Sequence, residues 1–428
     1  MELLVLLIIM LVLLLIKMPV AFAVGFTAII GLTMRGIPFE LIPQRMWFSL
    51  NSFPLVAIPL FIFVGEVMNI GGVTRRLFAF CRTLARHFRG GLGHVNVLTS
   101  VAFSGMSGSA IADLAGLGVI QIKAMREAGY DDDFSAAISA TSATLGPIKP
   151  PSIPLVIFAI LADQSVGRLF LGGVVPGFII VLSLMIAVHI FSVKRNYPRE
   201  PRAKFPEIRT TFLAALPCLL TPIIILGGIF GGVVSVTEAA ALACFWSLIV
   251  AMFIYRELDL KGLYKAIKRT IVSASTVLII IASSSVLSWI VITSGAPQIL
   301  SELLQDIVRH PLLLLLLINV ILLIMGMFLE AMAVIMIMGP VLIPIVSNFG
   351  IDLVAFGVIF VLNCMISLCT PPFGLSLFIA CRLIEKPMSY ILRTMMIFVI
   401  PLLCTLLLIT IFPGLITWLP NLVFGAVT

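Results

Sequence analysis

Apolar residues run in long stretches along this chain, at about 3–16, 20–33, 53–70, 95–128, 134–161, 168–193, 212–229, 233–254, 271–293, 311–347, 353–384 and 388–411. They lack the short apolar–polar alternation of a membrane β-barrel. A helix needs ~20 apolar residues to cross the hydrocarbon of a bilayer, so the pattern predicts an all-α polytopic membrane protein. The stretches 95–128 and 311–347 are too long for one crossing and too short for two plus a loop. Each is interrupted near its centre, by "FSGMSGSAIAD" at 103–113 and by "MGMFLEAMA" at 325–333. These predict two re-entrant helical hairpins. Two further stretches contain "SATLGPIKPPSIP" and "NCMISLCTPPFGLS". Proline removes a backbone donor and breaks the helix ladder. A freed carbonyl finds no water in hydrocarbon, so such a break persists only where it is buried in protein or lines a wet cavity. Two broken helices are therefore expected.

A gap-free shift of 221 lays Ala110 on Ala331, Gly118 on Gly339, Gly129 and Asp131 on Gly350 and Asp352, and Pro150-Pro151 on Pro371-Pro372. Turn-forming residues thus recur in order, which is the mark of an internal repeat. Charge sets its handedness. Segment 72–92 carries Arg75, Arg76, Arg82, Arg86 and Arg89 without an acid, whereas its counterpart at 293–312 has Glu302, Asp306 and Arg309. Positive loops stay in the cytoplasm, so the halves face opposite ways, as in many secondary transporters. The other basic segments, 194–209, 256–269 and the patch at Lys386 and Arg393, are assigned inside, and the N-terminus outside. The 256–269 segment reads as a basic amphipathic helix lying along the membrane surface.

The expected organisation is scaffold helices over 1–70, a basic arm helix over 71–92 and a first hairpin with broken helix over 93–166. A membrane helix (167–193) and a cytoplasmic linker (194–210) follow, then second scaffold helices (211–292) and an external arm (293–311). The second hairpin with broken helix occupies 312–385, and C-terminal helices fill 386–428. The apolar N-terminus begins with Glu2 and lacks a basic flank, so it reads as a retained helix rather than a signal peptide.

Composition narrows the function. Apolar residues make up 61% of the chain and charged residues 11%, against about 25% charged in a soluble domain. The net charge of +8 then reports loop topology, not nucleic-acid affinity. Seven cysteines without a C-x-x-C pair, and four histidines (His87, His94, His189, His310) read as scattered, offer no transition-metal site. No G-x-x-x-x-G-K-[ST] stretch and no catalytic triad or H-E-x-x-H spacing appears. The chain is read as a transporter driven by an ion gradient and not as an enzyme.

A broken helix leaves carbonyls unpaired at the end of its first half and N–H groups unpaired at the start of its second. The carbonyl end suits a small hard cation, the amide end a carboxylate. Ser104, Ser107 and Ser109 add hydroxyl oxygens at the first hairpin tip. Thr144 and Gly146 flank the first break, and Ser367 and Thr370 the second. Oxygen-only ligation without a carboxylate cluster favours Na⁺. Small residues also serve close helix packing, but packing alone does not call for two helix breaks. Charges within apolar spans are functional candidates by default: Asp113 past the first tip, Glu330 at the second, and Lys149 inside the first break. Glu238 and Arg382 read equally well as interfacial or ion-paired residues.

"SGSAIADLAGLG", "GPIKPPSIPLVI", "CTPPFGLSLFIA" and "KMPVAFAVG" resemble stretches of the large membrane subunit of the tripartite ATP-independent periplasmic (TRAP) transporters, a likeness that covers nearly the whole chain. The resemblance implies a Na⁺-coupled elevator in the bacterial inner membrane. It implies two partners, a small four-helix membrane subunit on a separate chain and a periplasmic substrate-binding protein. The cargo it implies is an organic acid such as sialic acid or a C4-dicarboxylate. By motif, Ser104, Ser107, Thr144, Gly146 and Pro147 would form one sodium site, and Gly326, Ser367, Thr370 and Pro371 the other. Ser109, Asp113, Lys149 and Glu330 would meet the substrate. The second tip is poor in hydroxyls, which implies that backbone carbonyls dominate there. Two alternatives remain open at this point: a Na⁺/anion transporter of the same two-hairpin architecture that needs no binding protein, and an intramembrane enzyme or scaffold subunit.

Overall fold

The computed structural model describes residues 2–16, 18–295, 298–299, 302, 310–372 and 374–425. The chain opens with α1 (Glu2–Leu15), α2 (Val20–Met34), α3 (Leu41–Leu50) and α4 (Ala57–Ile70), the last preceded by a 3₁₀ turn at Phe53–Val56. The arm α5 (Val73–Ala85) follows a sharp turn at Gly72, whose φ is +73°. The left-handed backbone favours glycine here, and a Cβ would lie 1.9 Å from Glu257 Oε2 and so displace the carboxylate that pairs with the arm.

The first hairpin descends as α6 (Gly91–Ser107). It turns at Gly108, again left-handed at φ +61°, and returns as α7 (Ala110–Asp113), a π-turn and α8 (Val119–Glu127). The first broken helix is α9 (Asp132–Ala143) and α10 (Ile153–Leu161), followed by the crossing helix α11 (Val166–Lys194). The second half supplies α12 (Phe205–Phe230), α13 (Val236–Leu248) and α14 (Leu260–Thr293). Its hairpin is α15 (Pro311–Phe328) and α16 (Ala331–Asn348), and its broken helix α17 (Leu353–Ser367) and α18 (Leu375–Ile384). The chain ends with α19 (Met388–Ile411) and α20 (Gly414–Phe424). Among the described residues, eight helices are long and apolar enough to cross a membrane.

The repeat is visible in the element bounds. An offset of 221 carries Ser107 to Phe328, Ala110 to Ala331, Glu127 to Asn348 and Asp132 to Leu353, all helix ends or starts. It also relates one residue from each of two buried clamps. Asn96 of α6 accepts from Ser142 of α9 at 2.6 Å. Ser142 maps onto Asn363 of α17, which donates to Asn319 Oδ1 of α15 at 3.0 Å. Each hairpin is thus tied to its broken helix by an asparagine. Such bonds contribute about 0.6 to 2 kcal/mol inside a membrane protein.

The basic segments gather at one end. Glu257 accepts from Arg75 at 2.5 Å and from Arg76 at 2.7 Å. Arg86 pairs with Glu207 at 2.5 Å and Arg82 with Glu200 at 2.7 Å. Arg195 bridges Asp131 and Asp133, and Thr394 of α19 donates to the same Asp133. The arm, the linker, the start of α9 and the start of α19 therefore share one face of the molecule. Burial pushes the Glu257 carboxyl up, but the hydrogen bonds from Arg76 and Arg75 outweigh it and hold the group below its usual range.

Three expectations are corrected. The 256–269 segment forms no separate surface helix. From Leu260 it is the first part of α14, 34 residues long. Asp259 caps its start by accepting from Gly262 N at 2.7 Å, and no proline interrupts the run. At ~1.5 Å per residue such a helix outruns the ~30 Å hydrocarbon, so its basic end projects beyond it. The linker is shorter than 194–210, because α12 already begins at Phe205. The histidines are not all scattered: His94 lies 6.3 Å from His189 and 5.5 Å from Phe88, whose neighbour ring at 4.1 Å is His87 (centroid distances). The external arm expected over 293–311 falls largely outside the described residues. Glu238 is a local cap: its carboxylate accepts from Ser235 N at 2.7 Å while Ser235 Oγ accepts from Glu238 N at 3.3 Å.

Candidate functional site: two helix breaks and the hairpin tips

The second proline break packs against the first broken helix one turn before its own break. Cys369, in the second break, places its Sγ 3.6 Å from the Ala140 carbonyl of α9. Phe158 of α10 packs edge-on against Phe356 and Phe360 of α17, each at 5.9 Å. Gly357 permits this: a Cβ there would lie 2.5 Å from the Phe158 ring. Each half-helix thus packs against the broken helix of the other repeat. The peptides Pro150-Pro151 and Pro371-Pro372 are both cis.

At the first break the hairpin tip closes onto the turn. The position of a Gly146 Cβ lies 3.5 Å from the Ser109 carbonyl carbon and 2.8 Å from Asp113 Oδ2. A Gly108 Cβ would stand 2.8 Å from the Pro151 carbonyl oxygen. Ser107 donates its hydroxyl to Asp113 Oδ1, and Ser109 caps α7 by accepting from Ala112 N at 3.4 Å. Asp113 is 1% exposed, and its Oδ2 has no hydrogen-bond partner. A buried carboxylate oxygen without a partner is costly in any medium and most of all inside a membrane. Here it is aimed at the Gly146 turn. Ser104 and Thr144 are buried, and their hydroxyls donate to the Val101 and Thr141 carbonyls at 2.8 and 2.6 Å, leaving oxygen lone pairs free to accept. The Pro147 carbonyl accepts from Ser152 Oγ, which also caps α10.

At the second break, a Gly326 Cβ would fall 2.5 Å from both Oγ and Cβ of Ser367. Gly326 and Ser367, far apart in sequence, are therefore pressed together. Ser367 and Thr370 donate to the Asn363 and Ile366 carbonyls, each at 2.8 Å. The Leu368 carbonyl receives Ser376 N at 3.0 Å. Pro371 follows Thr370 directly at the turn.

Between the tips and the scaffold lies a cavity of about 360 Å³. Ser107, Ser109, Ile153 and Glu330 face it from the hairpins and the first break. Gly65, Glu66 and Asn69 of α4, with Ser273 and Thr276 of α14, form the opposite wall. Glu330 stands at the N-terminus of α16, where a carboxylate is favoured by the helix dipole. Of the four expected substrate residues, Ser109 and Glu330 line the cavity, whereas Asp113 and Lys149 do not. Asp113 sits behind the tip at the first break. Lys149 runs along α11, where its Cγ lies 2.8 Å from the position of a Gly177 Cβ. Lys149→Met is accordingly expected to change the half-saturation of transport by less than ~3-fold, as for a methylene stem whose packing is preserved. A larger rise in a substrate titration of uptake would return Lys149 to the site.

The scaffold wall was not predicted. Polar residues on one helical face of an apolar span, such as Ser273 and Thr276, or Glu66 and Asn69, are the signal that marks it.

A family model described as "Tripartite ATP-independent periplasmic transporter, DctM component" matches residues 7–415. The chain belongs to the DctM component family of TRAP transporters. It is 40% identical over 411 residues to the sialic acid TRAP transporter large permease protein SiaM of Vibrio cholerae, covering 95% of this chain and 96% of that one. It is 41% identical over 379 residues to the sialic acid TRAP transporter permease protein SiaT of Haemophilus influenzae, covering 89% of this chain and 62% of the relative. The chain thus spans less than two thirds of that longer protein. The YdaH transporter of Alcanivorax borkumensis has the same fold at a TM-score of 0.63 and 15% identity, over 89% of each chain. The cavity between the hairpin tips, α4 and α14 thus belongs to a TRAP transporter large permease subunit.

Proposed function

We propose that this chain is the large membrane subunit of a Na⁺-coupled importer of an organic acid, with sialic acid as the leading substrate. The observation that carries the reading is the Asp113 carboxylate, which is buried, lacks a partner at Oδ2 and faces the Gly146 turn. A small cation supplies the missing charge at that point. Ser104, Ser107, Thr144 and the break carbonyls at Gly146 and Pro147 complete an oxygen shell around it. Gly326, Ser367, Thr370 and Pro371 hold a second sodium ion at the other break. The organic anion binds between the tips, at Ser109 and Glu330, where sodium offsets the negative charge of both cargo and wall.

The two hairpins and two broken helices, joined by the asparagine clamps, move as one body against the α2, α4, α13 and α14 scaffold in an elevator step. The protein sits in the bacterial inner membrane with its basic face inside and its N-terminus in the periplasm. It works with a small four-helix membrane subunit and a periplasmic binding protein that delivers the acid. The sialic-acid names of both relatives support the substrate.

The test is uptake of radiolabelled sialic acid into proteoliposomes holding this chain and the small subunit, with the binding protein outside. Replacing external Na⁺ by K⁺ is expected to reduce uptake to the protein-free background. Uptake that survives the replacement overturns sodium coupling. Uptake by this chain without the binding protein favours a self-sufficient anion transporter.

A further inference from the structure

The cavity wall holds two carboxylates, Glu66 and Glu330, and among the described residues lining it there is no lysine or arginine. The wall carboxylate Glu66 of α4 is paired with Arg269 of α14. On α14, Arg269, Ser273 and Thr276 share one helical face, so Arg269 stands one turn beyond the cavity wall. Its Nη1 lies 3.4 Å from Glu66 Oε2. The contact is looser than two pairs that fasten the arm, Arg76–Glu257 at 2.7 Å and Arg86–Glu207 at 2.5 Å. Its arginine is also the more open one: the Arg269 side chain is 51% exposed, against 26% for Arg76 and 17% for Arg86.

We propose that Glu66 and Arg269 form an ion-pair exchange gate at the basic-end mouth of the cavity, through which the carboxylate of the leaving substrate passes by displacing Glu66 from Arg269. The inference rests on the reading of the cavity as an organic-anion passage. A part-exposed pair contributes little net free energy, so a second carboxylate displaces it at small cost. Glu66 in turn competes with the cargo and prevents the guanidinium from retaining it. The two residues therefore act with opposite sign: arginine draws the anion out of an acidic cavity, and glutamate releases it.

The experiment uses proteoliposomes carrying this chain with the small subunit. Labelled sialic acid is exchanged from the basic-end side, with equal Na⁺ on both sides so that the result does not depend on ion coupling. Arg269→Gln is expected to raise the half-saturation from that side about tenfold and leave that of binding-protein-dependent uptake unchanged. Glu66→Gln is expected to lower the basic-end half-saturation and slow net release. Arg269→Lys keeps the charge and retains most of the wild-type exchange. Changes of the same sign in the two Gln variants, or none in either, overturn the gate. If a Gln variant fails to reach the membrane, the Lys variant and the charge-reversed pair Glu66→Arg/Arg269→Glu decide. The reversed pair keeps the opposite charges in contact and is expected to reach the membrane, and the gate requires that it still impair exchange. Wild-type exchange that persists while net uptake ignores Na⁺ removal rejects sodium coupling and leaves the gate standing.

Discussion

Replacing Asp113 by asparagine is expected to weaken the sodium dependence of uptake by about 10- to 100-fold, because a contact to a charged group is worth roughly 1.5–3 kcal/mol. The side chain is 1% exposed and half of its carboxylate is satisfied, with Ser107 donating to Oδ1. The other oxygen has no partner and faces the Gly146 turn. An isolated buried carboxylate costs several kcal/mol unless a cation or a proton neutralises it. Asparagine keeps the volume and an acceptor for Ser107 while removing the charge, so the folded chain persists. The measurement is uptake as a function of external Na⁺. A higher Na⁺ half-saturation at unchanged thermal stability is the expected result, and an unchanged Na⁺ curve excludes Asp113 as a ligand.

Gly326→Ala is expected to abolish transport, with a loss of stability of about 1–3 kcal/mol from overpacking. Helix propensity alone predicts the opposite sign, since alanine in a helix is favoured over glycine by about 1 kcal/mol. Contact decides the matter. The new methyl would lie 2.5 Å from Ser367 Oγ and Cβ at the lip of the second break, and the Cβ, fixed to the α17 backbone, yields only if α17 moves off α15. A second substitution separates crowding from chemistry. Ser367→Gly in the Gly326→Ala background removes the clash and is expected to restore the melting temperature without restoring transport, because the hydroxyl assigned to the ion is gone. Recovery of uptake in the double variant would show that Ser367 acts only through packing.

Much of the candidate site was legible because its signals are local. "KPPS" and "CTPPF" break a helix wherever they stand, and "SGMSGS" turns one inside an apolar run. The Ser107–Gly108–Ser109 tip lies where the sequence places it. The inverted repeat needed only the recurrence of turn residues and the asymmetry of charge. Other features were hidden because their partners are distant in sequence. Nothing near Lys149 announces that its stem runs along Gly177, and nothing near Asp113 tells whether it faces the cavity or the break behind it. The basic first part of α14 reads as a surface helix because a hydropathy reading stops at the last charge, whereas helical hydrogen bonding continues through it.

The sequence by itself determined the material of the protein: apolar spans for a bilayer, four interrupted segments, and two halves of opposite polarity. These follow from the free energy of burying backbone and charge in hydrocarbon, which each segment meets on its own. Only the tertiary structure decided which atoms face each other: Cys369 against Ala140, Gly326 against Ser367, the free Asp113 oxygen against Gly146, and the α4–α14 wall across from the tips. Those contacts join residues tens to hundreds of positions apart, and close packing of small side chains, rather than any local preference, selects them.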